Sequence, residues 1–230
     1  MLDTAQVQQY HRDGYIVVRD LYDAGTIAHW RGEVKKLYER DNAPNDHGVR
    51  VWMAGELPPF LRDAMCDDRV PPILTQLIGP DVEFLSVKLV HKDRGVDFGT
   101  PWHQDWHYWF GSEKLSVWIA LDDATIDNGC LKVIPGSHKR QFNNRRFEGE
   151  GFGNRIDEAQ LEGLPVVDAV MSRGDALFFS DRTVHGSHAN RNGEPRWSFI
   201  STYRNAAVAD DSQVWHTSLR VAGQSDGKSA

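Results

Sequence analysis

Ten histidines are spread over this sequence, and three of them open a His-x-Asp triplet: His11-Arg12-Asp13, His91-Lys92-Asp93 and His103-Gln104-Asp105. An imidazole and a carboxylate are both ligands for a divalent metal, and on an extended strand two residues spaced i, i+2 face the same side. With a third ligand from elsewhere in the chain, such a pair leaves coordination positions open, the facial arrangement used for oxygen chemistry at non-haem Fe(II).

The three triplets differ in setting. His11 and Asp13 fall at the end of a helical pattern, where residues i and i+2 diverge by roughly 200°, so they are read as surface. His91 ends a strand and runs into KDRGVD, read as a solvated loop. His103 and Asp105 lie in TPWHQDWHYWF, a strand candidate with five aromatic residues that can wall a metal off from water. Spacing alone leaves open both a metal site and a polar kink in a core strand.

Candidates for a third ligand are His107, His138, His185, His188 and His216. His185 stands out because it follows the apolar strand ALFFS after a short turn, and Arg196 opens the strand RWSFISTYR eleven residues later. A metal-bound acid needs its far carboxylate held, which a planar guanidinium does at two points. Arg196 as a plain surface strand residue stays open at this level. Lys88 alternates with Leu85, Val87 and Leu89; it either binds an anionic group in a pocket or reaches solvent, and solvent is the expectation. If the strand continues past Asp105, His107 and Trp109 share the metal-facing side and line a substrate cavity, while Trp106 and Tyr108 are core or rim.

The elements that must carry these residues follow from pattern. Asp3 and Gln6 form a capping-box signature for a short helix ending near Gly14, ahead of the β-branched run Tyr15 to Val18. Ile27, Trp30, Val34, Leu37 and Tyr38 have helical spacing within Asp23 to Arg40, and Asp68 to Ile78 reads as another helix, closed by Gly79-Pro80. From Val82 onward the pattern is β: VEFLSVKLVH, PWHQDW, LSVWIAL, LKVIP, PVVDAV, ALFFS and RWSFISTYR, which predicts a sandwich or barrel with helices covering a sheet. Lys139 to Pro165 is a long polar loop. The expected organisation is one domain over 1–205, then an extension over 206–230 that reads as disordered at its end.

Composition narrows the partners. With 26 basic and 33 acidic residues the formal charge is -7, which disfavours a nucleic-acid or anionic-membrane surface and leaves a small molecule as the expected partner. No apolar run reaches the roughly 18 residues of a membrane span, and MLDTAQVQQYHRDG lacks the features of a signal peptide, so a cytoplasmic monomer or homodimer is expected. Cys66 and Cys130 are read as free thiols.

Taken in order, HQD at 103–105, the run Asn128-Gly129-Cys130-Leu131 leading to Ile134-Pro135-Gly136-Ser137-His138, and His185-Gly186-Ser187 followed by Arg196 resemble the phytanoyl-CoA dioxygenase family. The opening QYHRDGYIVVRDLYD resembles the start of that family, so the similarity spans about residues 4 to 204. The resemblance implies a mainly β fold, a double-stranded β-helix or cupin-like jelly roll with flanking helices. It also implies an Fe(II)- and 2-oxoglutarate-dependent dioxygenase that uses O2, releases succinate and CO2, and hydroxylates an unactivated C–H bond of a small-molecule metabolite.

By the same resemblance His103, Asp105 and His185 match the iron ligands, Arg196 the partner of the 2-oxoglutarate C5 carboxylate, and Ser187 its helper. Substrate contacts are expected from His107, Trp109 and Lys88. Asp105 stands where related halogenases have a small residue, which favours hydroxylation. Two other readings remain: a cupin-like metal isomerase or hydrolase without 2-oxoglutarate, and a catalytically silent binding module.

Overall fold

The computed structural model of the chain describes residues 1–40, 48–146 and 153–223. Helix α1 (Thr4–Asp13) starts where the sequence places it. The Asp3 carboxylate accepts from the Gln6 amide at 2.8 Å, and the Gln6 side chain accepts from the Asp3 N–H at 2.9 Å. Gly14, at φ 81°, closes it by donating to Tyr10 O, and β1 (Tyr15–Val18) follows at once. Helix α2 (Ala24–Arg40) begins at Asp23, whose side chain accepts from both the amide and the hydroxyl of Thr26. Three elements follow that the sequence pattern did not resolve or placed differently. They are β2 (Val49–Met53), α3 (Pro59–Met65) and α4 (Pro71–Ile78), the last starting later than Asp68 because Pro71 and Pro72 occupy its first turn.

The remaining strands are β3 (Val82–Lys92), β4 (Lys114–Ala120), β5 (Leu131–Val133), β6 (Asn144–Arg146), β7 (Asn154–Ile156), β8 (Val167–Ala169), β9 (Ala176–Ser180), β10 (His185–Ser187), β11 (Arg196–Asn205) and β12 (Leu219–Ala222); a short helix α5 (Trp106–Trp109) sits between β3 and β4. A major seven-stranded sheet runs β1-β9-β4-β11-β3-β12, with β2 also on β3, and a minor sheet runs β10-β5-β8. All of these pairings are antiparallel.

Alternation along the strands divides the major sheet into two faces. Val87, Leu89, Val117, Ile119, Phe178 and Phe199 pack outward against Ile27, Trp30 and Val34 of α2, Leu61 of α3 and Leu74 of α4. The residues between them, Trp118, Ala120, Leu177 and Phe179, face inward against Leu131 and Val133 of β5 and Ala169 of β8. Two sheets enclosing a core, with helices on one outer face, form the jelly roll expected from the sequence. No helix among the described residues is long and apolar enough to cross a membrane. Cys66 and Cys130 are free.

Four expectations need correction. PWHQDW is not a strand. Only His103 pairs, as a single bridge to His185, after which the chain turns into α5 through Tyr108 N–H to Asp105 O at 2.9 Å and Phe110 N–H to Trp106 O at 2.7 Å. His91 is not in a solvated loop; it is buried on the outer face, its ring stacked on Trp197 at 3.9 Å. The 139–165 segment is not structureless, since β6 pairs with β7 and a tight turn covers Glu158–Leu161; residues 147–152 lie outside the described residues. Finally, β12 pairs with β3 and Asp210 binds the buried Lys114 at 2.9 Å, so the ordered fold continues past 205. The expected disorder of the last residues falls on 224–230, outside the described residues.

Candidate metal centre

The bridge between His103 and His185 is a reciprocal pair, His103 N–H to His185 O at 2.9 Å and His185 N–H to His103 O at 3.0 Å, which sets the two imidazoles side by side with centroids 4.2 Å apart. Asp105, two residues on, approaches both: its Oδ1 is 3.4 Å from His103 Nε2 and 3.9 Å from His185 Nε2. The intervening Gln104 turns away and donates its side-chain amide to Arg182 O, tying the turn to the loop before β10. One ligand atom from each of the three residues lies within 4.8 Å of the others, and all three side chains are buried.

The ring nitrogens are assigned by their partners. His103 Nδ1 lies 2.9 Å from Pro101 O and His185 Nδ1 2.9 Å from Thr183 O. A carbonyl oxygen only accepts, so each Nδ1 carries the hydrogen and each Nε2 presents a lone pair to the centre. Burial, reinforced by His103, lowers the His185 pKa to about 4, which keeps it neutral as a ligand must be. Burial alone would raise Asp105, but Lys88 and the two histidines hold its carboxyl well below the usual carboxylate range. Two imidazoles and one carboxylate, all buried and converging, are a donor set that suits a divalent metal of the iron type, with one side left open.

That open side is a narrow cavity of about 70 Å³ between the two sheets. Its inner end is basic. Arg196 begins β11 directly opposite Lys92 of β3, and both side chains are buried on the inward face. The Arg196 guanidinium lies over the Trp118 ring at 5.3 Å, and its Nε and Nη1 have no hydrogen-bond partner. Burial lowers its pKa to about 10, so it remains charged at neutral pH. A buried, protonated guanidinium with unmet donors is costly unless an acid completes it, and a carboxylate is the chemistry that would do so here.

Ser187 lies at the same end of the cavity. Its Oγ accepts from Lys92 Nζ at 2.8 Å and from Thr100 N–H at 2.9 Å, so both lone pairs are used and its own hydrogen is left to donate. Lys92 Nζ also donates to Phe98 O at 2.6 Å and to His188 O at 2.7 Å, which uses the three hydrogens of an ammonium. Burial first and Arg196 second pull its pKa down to about 7.

The structure brings together His103, Asp105, His185, Ser187, Arg196 and Lys88; the last lines the cavity where solvent was the expectation. His107 and Trp109 do not themselves line the cavity, because the chain is helical there and strand parity no longer applies; the Trp109 ring adjoins it only through Lys88, whose Nζ lies 5.3 Å from the ring centre. Trp109 donates its indole N–H to Asp181 at 2.8 Å, and His107 stands edge-on to Trp106 and Phe110. Tyr108, exposed at the rim, faces the His103 ring instead at 6.0 Å. Lys92 was missed as a site residue, although Lys88, Val90 and Lys92 share one strand parity and that signal was present in the sequence.

A model of the family described as phytanoyl-CoA dioxygenase (PhyH) matches residues 10–198. The peroxisomal phytanoyl-CoA dioxygenase of Mus musculus is 27% identical over 221 residues, covering 83% of this chain; the chain spans only 65% of that relative's length. The ectoine dioxygenase of Bordetella bronchiseptica is 26% identical over 236 residues, covering 89% of this chain and 76% of that protein. Among solved structures, the non-heme alpha-ketoglutarate-dependent epimerase SnoN from nogalamycin biosynthesis superposes with a TM-score of 0.73 at 25% identity, covering 88% of this chain and 82% of that one.

Proposed function

This chain belongs to the phytanoyl-CoA dioxygenase family, and from that premise we propose that it is an Fe(II)- and 2-oxoglutarate-dependent oxygenase that hydroxylates an unactivated C–H bond of a small molecule. The observation that carries this reading is the unpartnered, buried guanidinium of Arg196 sharing one cavity with a His, Asp, His cluster. In this reading His103, Asp105 and His185 hold the iron, and Arg196 with the Ser187 hydroxyl holds the distal carboxylate of 2-oxoglutarate. The bound iron supplies oxygen activation, coupled to conversion of 2-oxoglutarate to succinate and CO2, and oxidation of the substrate.

The chain's own part is placement and exclusion of water. Pro101 O and Thr183 O fix the tautomers and ring planes of the two histidines. Phe98, Trp118, Leu131, Phe179 and Ile200 give the cavity apolar walls, which strengthens each charged contact inside it. Asp105 fills the position that a small residue would leave to a halide, which supports hydroxylation over halogenation. A cupin-like isomerase or hydrolase would need the metal cluster but gives Arg196 nothing to bind.

Fe(II)-dependent formation of succinate from 2-oxoglutarate, followed without added substrate, is the direct test. A slow turnover that requires both Fe(II) and O2 supports the reading. A protein that binds Fe(II) but neither binds nor consumes 2-oxoglutarate belongs to the cupin-like alternative, and one that binds no metal is a silent binding module.

The carboxylate receptor also predicts a pH dependence. Lys92, at about pH 7, is charged below that value and loses its proton above it, so the positive field at Ser187 and Arg196 weakens as pH rises. Affinity for 2-oxoglutarate should fall by about twofold to fivefold between pH 7 and pH 8, fivefold being about the most that one group titrating near 7 can give. In Lys92→Met the same titration should be flatter and weaker at pH 6.5. Equal pH profiles for the two proteins would remove Lys92 from the receptor.

A further inference from the structure

The cavity holds more positive charge than metal and co-substrate account for. Among the described residues lining it are three basic side chains, Lys88, Lys92 and Arg196, and one acidic side chain, Asp105. At the inner end, Arg196 and Lys92 face the distal carboxylate of the co-substrate. At the metal end, two positive charges on iron meet one negative charge from Asp105 and one from the chelating carboxylate of 2-oxoglutarate. That end is balanced without Lys88, whose ammonium is a surplus charge beside the reacting centre.

No side chain pairs with it directly, although its charge acts on the Asp105 carboxyl across the cavity. Lys88 sits in the middle of β3, opposite Ile200 of β11 on one side and Val51 of β2 on the other, and turns to the inward face. Its Nζ lies 5.3 Å from the centre of the Trp109 ring, and among the described residues no hydrogen-bond acceptor and no carboxylate is within ion-pair distance of it. Three other acidic side chains of the fold are committed elsewhere. Asp210 binds Lys114, Asp122 binds Arg31 at 2.6 Å, and Asp181 accepts from Trp109 while burial raises its pKa to about 8 and keeps it protonated. The Trp109 ring supplies a cation–π surface that holds the ammonium in place but leaves its hydrogens free.

Resting on the iron and 2-oxoglutarate reading, we propose that Lys88 is the anchor of an anion subsite, and that the substrate carries a compact anionic group, a carboxylate or a phosphonate, bound by Lys88 with the carbon to be oxidised held next to the metal. The partly apolar walls around it then accept a short aliphatic portion, so charge at one end and hydrocarbon at the other define the class.

The test uses the intact protein loaded anaerobically with Fe(II) and 2-oxoglutarate, whose weak visible charge-transfer absorption reports the complex. Butyrate, methylphosphonate and the neutral isostere butyramide are titrated in, and the change in that absorption and the heat of binding are read. The wild type should bind at least one of the two anions and not butyramide, and the anion that binds best tells carboxylate from phosphonate. Lys88→Met should weaken anion binding by roughly tenfold or more, with Lys88→Arg intermediate, while half-saturation by 2-oxoglutarate stays as in wild type. Anions bound equally well by Lys88→Met, butyramide bound as well as butyrate, or no anion bound by the wild type would each overturn the proposal. Loss of 2-oxoglutarate affinity in Lys88→Met would also overturn it, by moving Lys88 to the co-substrate. Absence of the absorption in wild type would instead overturn the underlying reading.

Discussion

Replacing Arg196 with methionine should raise the 2-oxoglutarate concentration needed to half-develop the Fe(II) charge-transfer absorption by roughly 100-fold or more. The estimate follows from the cost of removing one partner of a buried charge pair, about 3–5 kcal/mol, with each 1.4 kcal/mol worth a factor of ten. Arg196 is 1% exposed, and Lys92 cannot take its place because its three hydrogens are already used. Lys should restore part of the affinity in Arg196→Lys, as a point charge without the two-point fork. Fe(II) binding in the absence of 2-oxoglutarate should be unchanged, since Arg196 is not among the three clustered ligands. A half-saturation in Arg196→Met within a factor of three of wild type would refute the assignment.

Replacing His103 with alanine should abolish stoichiometric Fe(II) binding, while His91→Ala should bind Fe(II) as wild type and unfold at a lower temperature. The two histidines open identical His-x-Asp triplets, yet they stand on opposite faces of the major sheet. His103 directs a lone pair into the cluster, whereas His91 is wedged between Trp197, stacked at 3.9 Å, and the edge of Tyr38 at 5.5 Å. Deleting a buried ring of this kind costs about 2–4 kcal/mol, and in a chain of this size each kcal/mol is worth about 2–4 °C in Tm. Metal titration followed by calorimetry on each variant separates the two effects. Loss of Fe(II) in folded His91→Ala, or its retention in His103→Ala, would reverse the assignment.

What could be read from the sequence, and what could not, divides along the range of the interactions. The capping box at Asp3 and Gln6, the apolar face of α2 and the long strands β3, β4, β9 and β11 are set by local pattern and appear where expected. Residue types also pointed to His103, Asp105, His185 and Arg196, with the family resemblance choosing among the histidines. Parity arguments failed where a strand was assumed to continue. Four residues, Trp106 to Trp109, fold as a helical turn because no neighbouring strand is available to accept their backbone hydrogen bonds, and His107 and Trp109 leave the cavity with them. His91 looked solvated because its burial depends on Trp197 and Tyr38, both far away in sequence. Lys92 looked like part of a charged loop because HKDRG is polar, although the strand runs one residue beyond His91 and turns its ammonium inward. Strands as short as β10 and β12 have too few residues to show a period at all.

The edges of the major sheet have a consequence for how copies of this chain meet. β3 is the longest strand, eleven residues, and one of its sides is not covered by a single partner. Instead β12 pairs with Val82 to Phe84 and β2 with Ser86 to Val90, so that side is finished by two short strands of four and five residues. The opposite margin of the sheet is β1, again four residues. Short margins offer too few consecutive amides and carbonyls to template another molecule's strand. Self-association by sheet continuation, the route that makes fibres from β proteins, is therefore blocked along the described margins of this sheet.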